Sequence, residues 1–208
     1  LAHVRRLYRG TRLEAQELDG LVVETEGALF RAEDLSRSRG ERPRRLDRIV
    51  VAVDPPASAH GDACGIVAAG RLDGRGFVLA DRSARGLTPL GWGRRVAGVA
   101  EEVGAHAVVA EANQGGEMVR AVLQQAGCAA PIRLVHASRS KRARAEPVAA
   151  LYEQGRVVHC GDFPELAEEL MALGSEETRR SPDRADALVW ALTELLLKTP
   201  GRPRVRVL

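Results

Sequence analysis

Apolar residues arrive first in short runs and then in helical stripes. In Arg48-Ile-Val-Val-Ala-Val-Asp-Pro-Pro56 they run without a break from Ile49 to Val53. Such a run predicts a strand buried on both faces, in a sheet with helices on each side, and the proline pair stops its ladder. Cys64–Gly70 and Gly76–Arg82 predict two more strands, joined by Arg71-Leu-Asp-Gly-Arg75 with an Asp-Gly turn at its centre. Three strands with short connections predict an antiparallel meander. Thr88-Pro89 supplies an N-cap followed by proline at the first helical position. Trp92, Val96, Val99 and Val103 then recur at helical spacing, which predicts an amphipathic helix over 89–103.

Further on, the pattern predicts a strand at His106–Glu111, a helix at Glu117–Ala126 stopped by Gly127, and a strand at Ile132–His136. A helix over roughly 140–154 is expected to be interrupted or restarted at Pro147 and ended by Gly155. Val157–His159 reads as a short edge strand, Glu165–Leu173 as a helix, and Pro182–Lys198 as the strongest helix. The order β-β-β-α-β-α-β-α-(β)-α-α is compatible with an α/β domain, one mixed sheet covered on both faces. There is no internal repeat.

Residues 1–45 break this pattern. Tyr8–Gly20 is polar, Leu21-Val-Val-Glu24 is strand-like, and Ala28–Leu35 has the look of a helical turn or two. Ser36–Arg45 is a basic connector punctuated by Gly and Pro. The division expected is therefore an N-terminal extension at 1–45, a compact domain at 46–198, and a loose basic tail at 199–208 that carries Arg202, Arg204 and Arg206. The chain begins at Leu1 without Met, and we read it as a fragment of a longer protein.

Composition narrows the chemistry. The chain has 208 residues and 45% hydrophobics but only 3% aromatics, so Ala, Val and Leu must fill the core. Net charge is +3, carried almost wholly by Arg, since Lys occurs only at 141 and 198. Cys64, Cys128 and Cys160 lie far apart without C-x-x-C spacing. They read as buried thiols in a reducing cytoplasm, which excludes a disulfide or zinc framework. His159-Cys160 has no second pair at ligand spacing and carries no metal reading. Neither a signal peptide nor an apolar run of membrane-spanning length is present.

Four acids stand out. Asp54 ends the first strand, where open α/β sheets place their ligands, and Glu111 ends another apolar strand before Ala-Asn-Gln-Gly-Gly116. If the two strands are parallel neighbours, these carboxylates meet. Asp183 and Asp186, three apart in Ser181-Pro-Asp-Arg-Ala-Asp-Ala-Leu188, share a face at the start of the last long helix. The helix dipole favours an acid there by ~0.3–1 kcal/mol, which explains Asp183 equally well, but it explains the deeper Asp186 less well. Three or four carboxylates make a hard oxygen site suited to Mg²⁺ or Mn²⁺, one or two ions, rather than zinc. Two ions about 4 Å apart can activate water and stabilise a leaving oxygen in phosphodiester cleavage. Asp54 is then the choice for the bridging ligand. No organic cofactor is indicated.

In their order, the strand-Asp, strand-Glu and helical Asp-x-x-Asp resemble ribonuclease H-like nucleases. More specifically, the chain resembles the C-terminal nuclease domain of large terminase subunits, the DNA-packaging motors of tailed phages and gene transfer agents. The matching pieces are Gly10–Gly20 with Gly27-Ala-Leu-Phe30, Val53–Pro56, Glu111–Gly116, Ser138–Arg144 and Ser181–Leu188. The resemblance implies a ribonuclease H-like mixed five-stranded sheet and a metal-dependent endonuclease acting on double-stranded DNA in a bacterial host cytoplasm. It also implies an N-terminal ATPase domain joined through the first residues, with portal and small terminase subunit as partners. No G-x-x-x-x-G-K-[ST] occurs in this chain, so the motor itself is not here.

Arg139, Lys141, Arg142 and Arg144 put four positive charges in six residues, by default a solvated helix face; beside an acidic metal site they read as a phosphate clamp, with Lys141 and Arg144 expected to contact DNA backbone or position the scissile phosphate. Asn113, Gly115 and Gly116 would let backbone approach a phosphate, or simply start a helix. His60 and Asp62 follow Asp54 closely enough to reach the site, although loop residues of this kind are more often only solvated. Trp92 and Trp190 are assigned to packing. Two rival readings are a Holliday-junction-resolvase-like endonuclease and a non-catalytic domain that docks DNA or the portal.

Overall fold

The structure is a computed structural model that describes residues 29–56, 63–113, 115–173 and 181–198. The strands are β1 (Arg48–Asp54), β2 (Ala63–Leu72), β3 (Arg75–Asp81), β4 (Ala84–Arg85), β5 (Ala107–Glu111), β6 (Ile132–Val135) and β7 (Val157–His159). The helices are α1 (Ala32–Arg37), α2 (Pro89–Val103), α3 (Gly116–Gln125), α4 (Lys141–Glu153), α5 (Pro164–Ala172) and α6 (Asp183–Leu192), and α6 ends in a π-helical turn at Thr193–Leu197.

Six strands line up as β6-β5-β1-β2-β3-β7, with β4 beside β2. β2 is antiparallel to β1 and β3, whereas β5, β6 and β7 join in parallel. The mixed α/β sheet covered on both faces is present, and it is wider than the five strands expected. β7 adds a sixth strand because the buried Val157 and Val158 pair with Gly76 and Phe77. The hairpin between β2 and β3 uses Asp73-Gly74 with φ of 48° and 74°, the left-handed pair that a two-residue turn requires.

The period-two alternation of β1 feeds two cores. Ile49, Val51 and Val53 face α2 and α3, packing with Trp92, Val96, Val99 and Leu123. Val50 and Ala52 face the last helix, packing with Trp190, Ala191 and Leu195. Val50, Val51 and Val53 are fully buried, worth about 1.5–3 kcal/mol each. α2 begins as expected: the Gly91 N–H donates to Thr88 Oγ1 at 3.1 Å.

Two expectations need correction. α4 runs unbroken through Pro147. The missing N–H costs one bond, but Ala145, Val148, Ala149 and Leu151 bury the surrounding turns and hold the helix together. The cysteines are all free, yet only Cys64 is buried, while Cys128 and Cys160 are half-exposed. Residues 30–40 also pack onto the sheet. Phe30 and Leu35 are buried, and His159 at the sheet's outer edge exchanges backbone bonds with Ser38 and Gly40 at 2.7 and 3.0 Å. Among the described residues, no helix is long and apolar enough to cross a membrane.

α6 lies close on β2. A Cβ on Gly65 would sit 1.9 Å from the Asp183 carbonyl oxygen. The start of α6 has no side-chain cap of its own. Instead Glu169 of α5 caps it: the Arg184 and Ala185 N–H groups donate to Glu169 Oε2 at 2.8 and 3.2 Å. The Arg184 guanidinium donates to Glu169, Asp81 and Glu165, tying the helix start to β3 and α5.

Gly65→Ala is expected to lower stability by about 1–3 kcal/mol through this backbone clash, read as a lower urea midpoint at unchanged m. A second test concerns His159, which is buried against the Tyr152 hydroxyl at 2.7 Å. Burial, aided by the Arg39 charge, holds its pKa down to about 4 from an ordinary 6.5. The unfolded chain therefore takes up the proton first. The stability that neutral His159 contributes is complete above pH 6.5 and is lost as pH falls towards 4. Between pH 7 and 5 this loss is about 2 kcal/mol. The raised carboxyls of Asp54 and Asp186 titrate in the opposite sense, so the quantity to measure is the difference between wild type and His159→Gln at each pH.

Candidate active site

β1 and β5 are parallel neighbours with Val53 opposite Ala110, so the next residue on each, Asp54 and Glu111, leaves the same end of the sheet. The first turn of α6 meets them there. Asp183 is buried and accepts from the Ala63 N–H at 2.9 Å, and Asp186, one turn on, is 1% exposed. The sequence-predicted acids are thus brought together by two strand ends and one helix, at the carboxyl end where open sheets bind ligands.

Carboxylates packed this closely raise one another's proton affinity. Burial pushes the Asp54 carboxyl well above its usual range, and the charges of Asp186, Glu111 and Asp183 push it further. Among the described residues, no donor hydrogen-bonds Asp54. Two cations from α4 answer the negative charge. Lys141 Nζ lies 2.5 Å from Asp186 Oδ2 and donates to Ser181 Oγ at 3.0 Å. Arg144, 10% exposed, forks its guanidinium between Glu111 Oε2 at 3.1 Å and Asp186 Oδ1 at 3.2 Å. Burial raises the Asp186 carboxyl despite both cations. Burial works against the Lys141 ammonium too, but its bond to Asp186 and the charges of Asp54 and Asp183 outweigh it and hold the pKa above the ordinary value.

Trp190 belongs to this arrangement, which corrects its assignment to packing alone. Its indole N–H donates to Glu111 Oε2 at 2.5 Å, and the Arg144 guanidinium lies over its ring at 4.7 Å. The sequence did hold a signal: Trp190 is four residues after Asp186 and shares its helix face. Asn113 donates to Glu111 Oε1 at 2.8 Å and accepts from the Ala137 N–H at 2.7 Å, so donors engage both Glu111 oxygens. Gly115 takes φ 78° at the N-cap of α3, the helix-start alternative for the glycine pair.

Arg139 is exposed, and Arg142 pairs with Glu146 on its own helix at 3.8 Å. His60, Asp62, Arg202, Arg204 and Arg206 lie outside the described residues, as does everything before Leu29. Asp54, Glu111, Asp183 and Lys141 open on a cleft of about 470 Å³ whose opposite wall, Trp92, Met118, Val119 and Val122, is apolar. Trp92 packs in the core, as expected, and also forms part of that wall.

Among the described residues, no three acids, histidines or cysteines stand as a ready-made metal cage. Lys141 and Arg144 reach in among the carboxylates. The donor set nonetheless fits a hard divalent cation: every ligand atom on offer is a carboxylate oxygen, and Asp54 is a half-buried acid among like charges with no hydrogen-bond donor among the described residues.

Comparison with known proteins identifies the family and the fold. The family described as Terminase RNaseH-like domain matches residues 51–195. Among solved structures, the ADP complex of a large terminase from a thermophilic bacteriophage is 15% identical with a TM-score of 0.71, covering 95% of this chain and 52% of that one. The large terminase nuclease from thermophilic phage G20c is 18% identical with a TM-score of 0.60, covering 81% of this chain and 99% of that one. A mutant nuclease domain of the Sf6 large terminase subunit, solved with manganese and β-thujaplicinol, is 15% identical with a TM-score of 0.56, covering 79% and 98%. The chain spans about half the length of the ADP-bound large terminase. No curated protein matches it. With most of its length matched, and with the ribonuclease H-like sheet of these structures, the chain belongs to the terminase RNaseH-like domain family.

Proposed function

We propose that this chain is a divalent-metal-dependent endonuclease that cuts double-stranded DNA during viral-type genome packaging. One observation carries the reading: the half-buried Asp54 carboxylate opens into a cleft beside Glu111, Asp183 and Asp186, and no donor among the described residues satisfies it. The manganese in the related Sf6 domain supports it.

Asp54, Glu111, Asp183 and Asp186 would hold Mg²⁺ or Mn²⁺, as one or two ions. The metal, when bound, lowers the pKa of an attacking water and neutralises charge on the phosphate. The protein's own groups supply orientation. Asn113, Trp190 and Arg144 lock Glu111 from three directions, and Arg144 fixes Asp186 as well. Lys141, half-exposed on the cleft, is the cation placed to meet a phosphate, with Arg139 just before α4 and Arg142 on it extending the backbone contact. Arg144 is committed to the carboxylates, so its role shifts from holding phosphate to aligning ligands. In the whole protein, residues 1–45 join this 46–198 domain to an ATPase domain and 199–208 form a basic tail. Portal and small terminase subunit are the partners, in the host cytoplasm.

The pairing of Lys141 and Arg144 with the acids favours a second reading, a non-catalytic docking domain whose charges are already satisfied. Cleavage decides between the two. Wild-type protein is expected to nick supercoiled plasmid with Mn²⁺ and lose activity in EDTA, and Asp54→Asn and Asp186→Asn to fall on the order of 100-fold or more. Nicking that persists in either variant, or its absence from wild type, rejects the nuclease reading. Trp190→Phe keeps the ring under Arg144 but removes the N–H to Glu111. A drop of roughly 10–100-fold is expected, with the Mn²⁺ requirement moved to higher concentration, as when a ligand loses its outer partner.

A further inference from the structure

The end of the sheet opposite the cleft is basic. Arg48 opens β1, Arg71 is the penultimate residue of β2, Arg75 opens β3, and Arg156 immediately precedes β7. The register sets Arg48 directly opposite Arg71. It also pairs Gly76 with Val157, which brings Arg75 and Arg156 side by side on neighbouring strands. Like charges opposed across a sheet are destabilising, so folding alone gives no reason for this arrangement.

Little on the molecule neutralises it. Glu194, carried in by the π-helical turn, pairs with Arg48, Arg133 and Lys198. The other three arginines are held by different groups. Arg71 donates to the Leu195 carbonyl at 3.3 Å, Arg156 donates to the Gly74 carbonyl at 2.8 and 3.1 Å, and Arg75 lies over the Phe77 ring at 5.8 Å. These contacts fix the guanidinium groups in place without cancelling their charge. Asp47, Asp73 and Glu153 at the end of α4 are the other acids nearby in the chain. Arg48, Arg71, Arg75, Arg133, Arg156 and Lys198 therefore outnumber the carboxylates, six to four.

We propose that this end is a second surface for the phosphate backbone of duplex DNA, contacted by Arg48, Arg71, Arg75 and Arg156 without sequence readout. The choice of DNA rests on the nuclease reading; the surface itself does not. The four strands that carry these residues span about 14 Å, a length over which a duplex presents about eight phosphate charges. Arg48 and Asp54 are six residues apart on β1, about 20 Å, so the two surfaces engage different stretches of duplex. An acidic protein partner fits less well. Such interfaces centre on apolar and aromatic anchors, whereas nucleic-acid interfaces are polar and positive. The exposed large hydrophobics among the described residues are Met118 and Met171, on α3 and α5 and away from these strand ends.

The test is fluorescence anisotropy of the 208-residue chain with a short duplex, in EDTA, across a salt series. For Arg71→Gln/Arg75→Gln/Arg156→Gln, binding at low salt is expected to weaken at least tenfold, and the slope of log K against log salt to fall by about 2–3, near 0.9 per lost contact. Arg75→Glu changes one exposed side chain that makes no backbone bond, so it guards against a folding defect in the triple variant, and it should weaken binding in the same sense. Wild-type affinity and slope in both variants overturn the proposal. So does loss of poly-glutamate binding with duplex binding intact, which assigns the surface to an acidic protein. Because no metal is present, a chain that never cleaves DNA still gives a clear answer here.

Discussion

Everything about this domain depends on keeping acids of like charge together at one end of a sheet. Each of Asp54, Glu111, Asp183 and Asp186 would be better solvated in water. They stay because the elements that carry them have no freedom to separate. β1 and β5 are locked by a parallel ladder between fully buried strands, and α6 is pressed on β2 at a glycine that leaves no room for a side chain. Lys141 and Arg144 then moderate the repulsion from one side, while Asp54 is left without a bonding partner among the described residues. That imbalance sets this carboxylate cluster apart from an ordinary ion-pair network, in which every acid has a partner.

The supports around the site are as informative as the acids. Glu169 caps α6 from a different helix and simultaneously holds Arg184, so the position of Asp183 and Asp186 is shared between α5, β3 and α6. Trp190 does the same for Glu111 from the far side of α6's second turn. The acids therefore sit on rigid elements with their hydrogen-bonding partners in place, which fixes their geometry before anything binds.

Much of this was legible in the sequence. The unbroken apolar run into Asp54, its repeat at Glu111, and Asp183 with Asp186 three apart located the cluster because strand and helix periodicities translate directly into direction. The Asp73-Gly74 turn and the Thr88-Pro89 helix start were readable for the same local reason. What escaped depended on contacts between distant segments. Nothing local distinguishes Glu169 as a cap for residues fifteen positions away, and the four positive charges after Ser138 gave no sign that Arg144 turns inward while Arg139 stays exposed. Pro147 misled because proline's local penalty is outweighed by the burial around it. The width of the sheet was underestimated because β7 is only three residues long and is held to the sheet through β3.

The ammonium of Lys141 and the guanidinium of Arg144 give the acids built-in counter-ions. A protein that relies on an external cation to hold its carboxylates together unfolds when the ion is withdrawn, as small zinc domains do. Here the charge balance is supplied within the fold. The chain can reach and keep its shape in a metal-poor setting, so an ion bound as proposed above would meet a finished structure and would not be a step in building it.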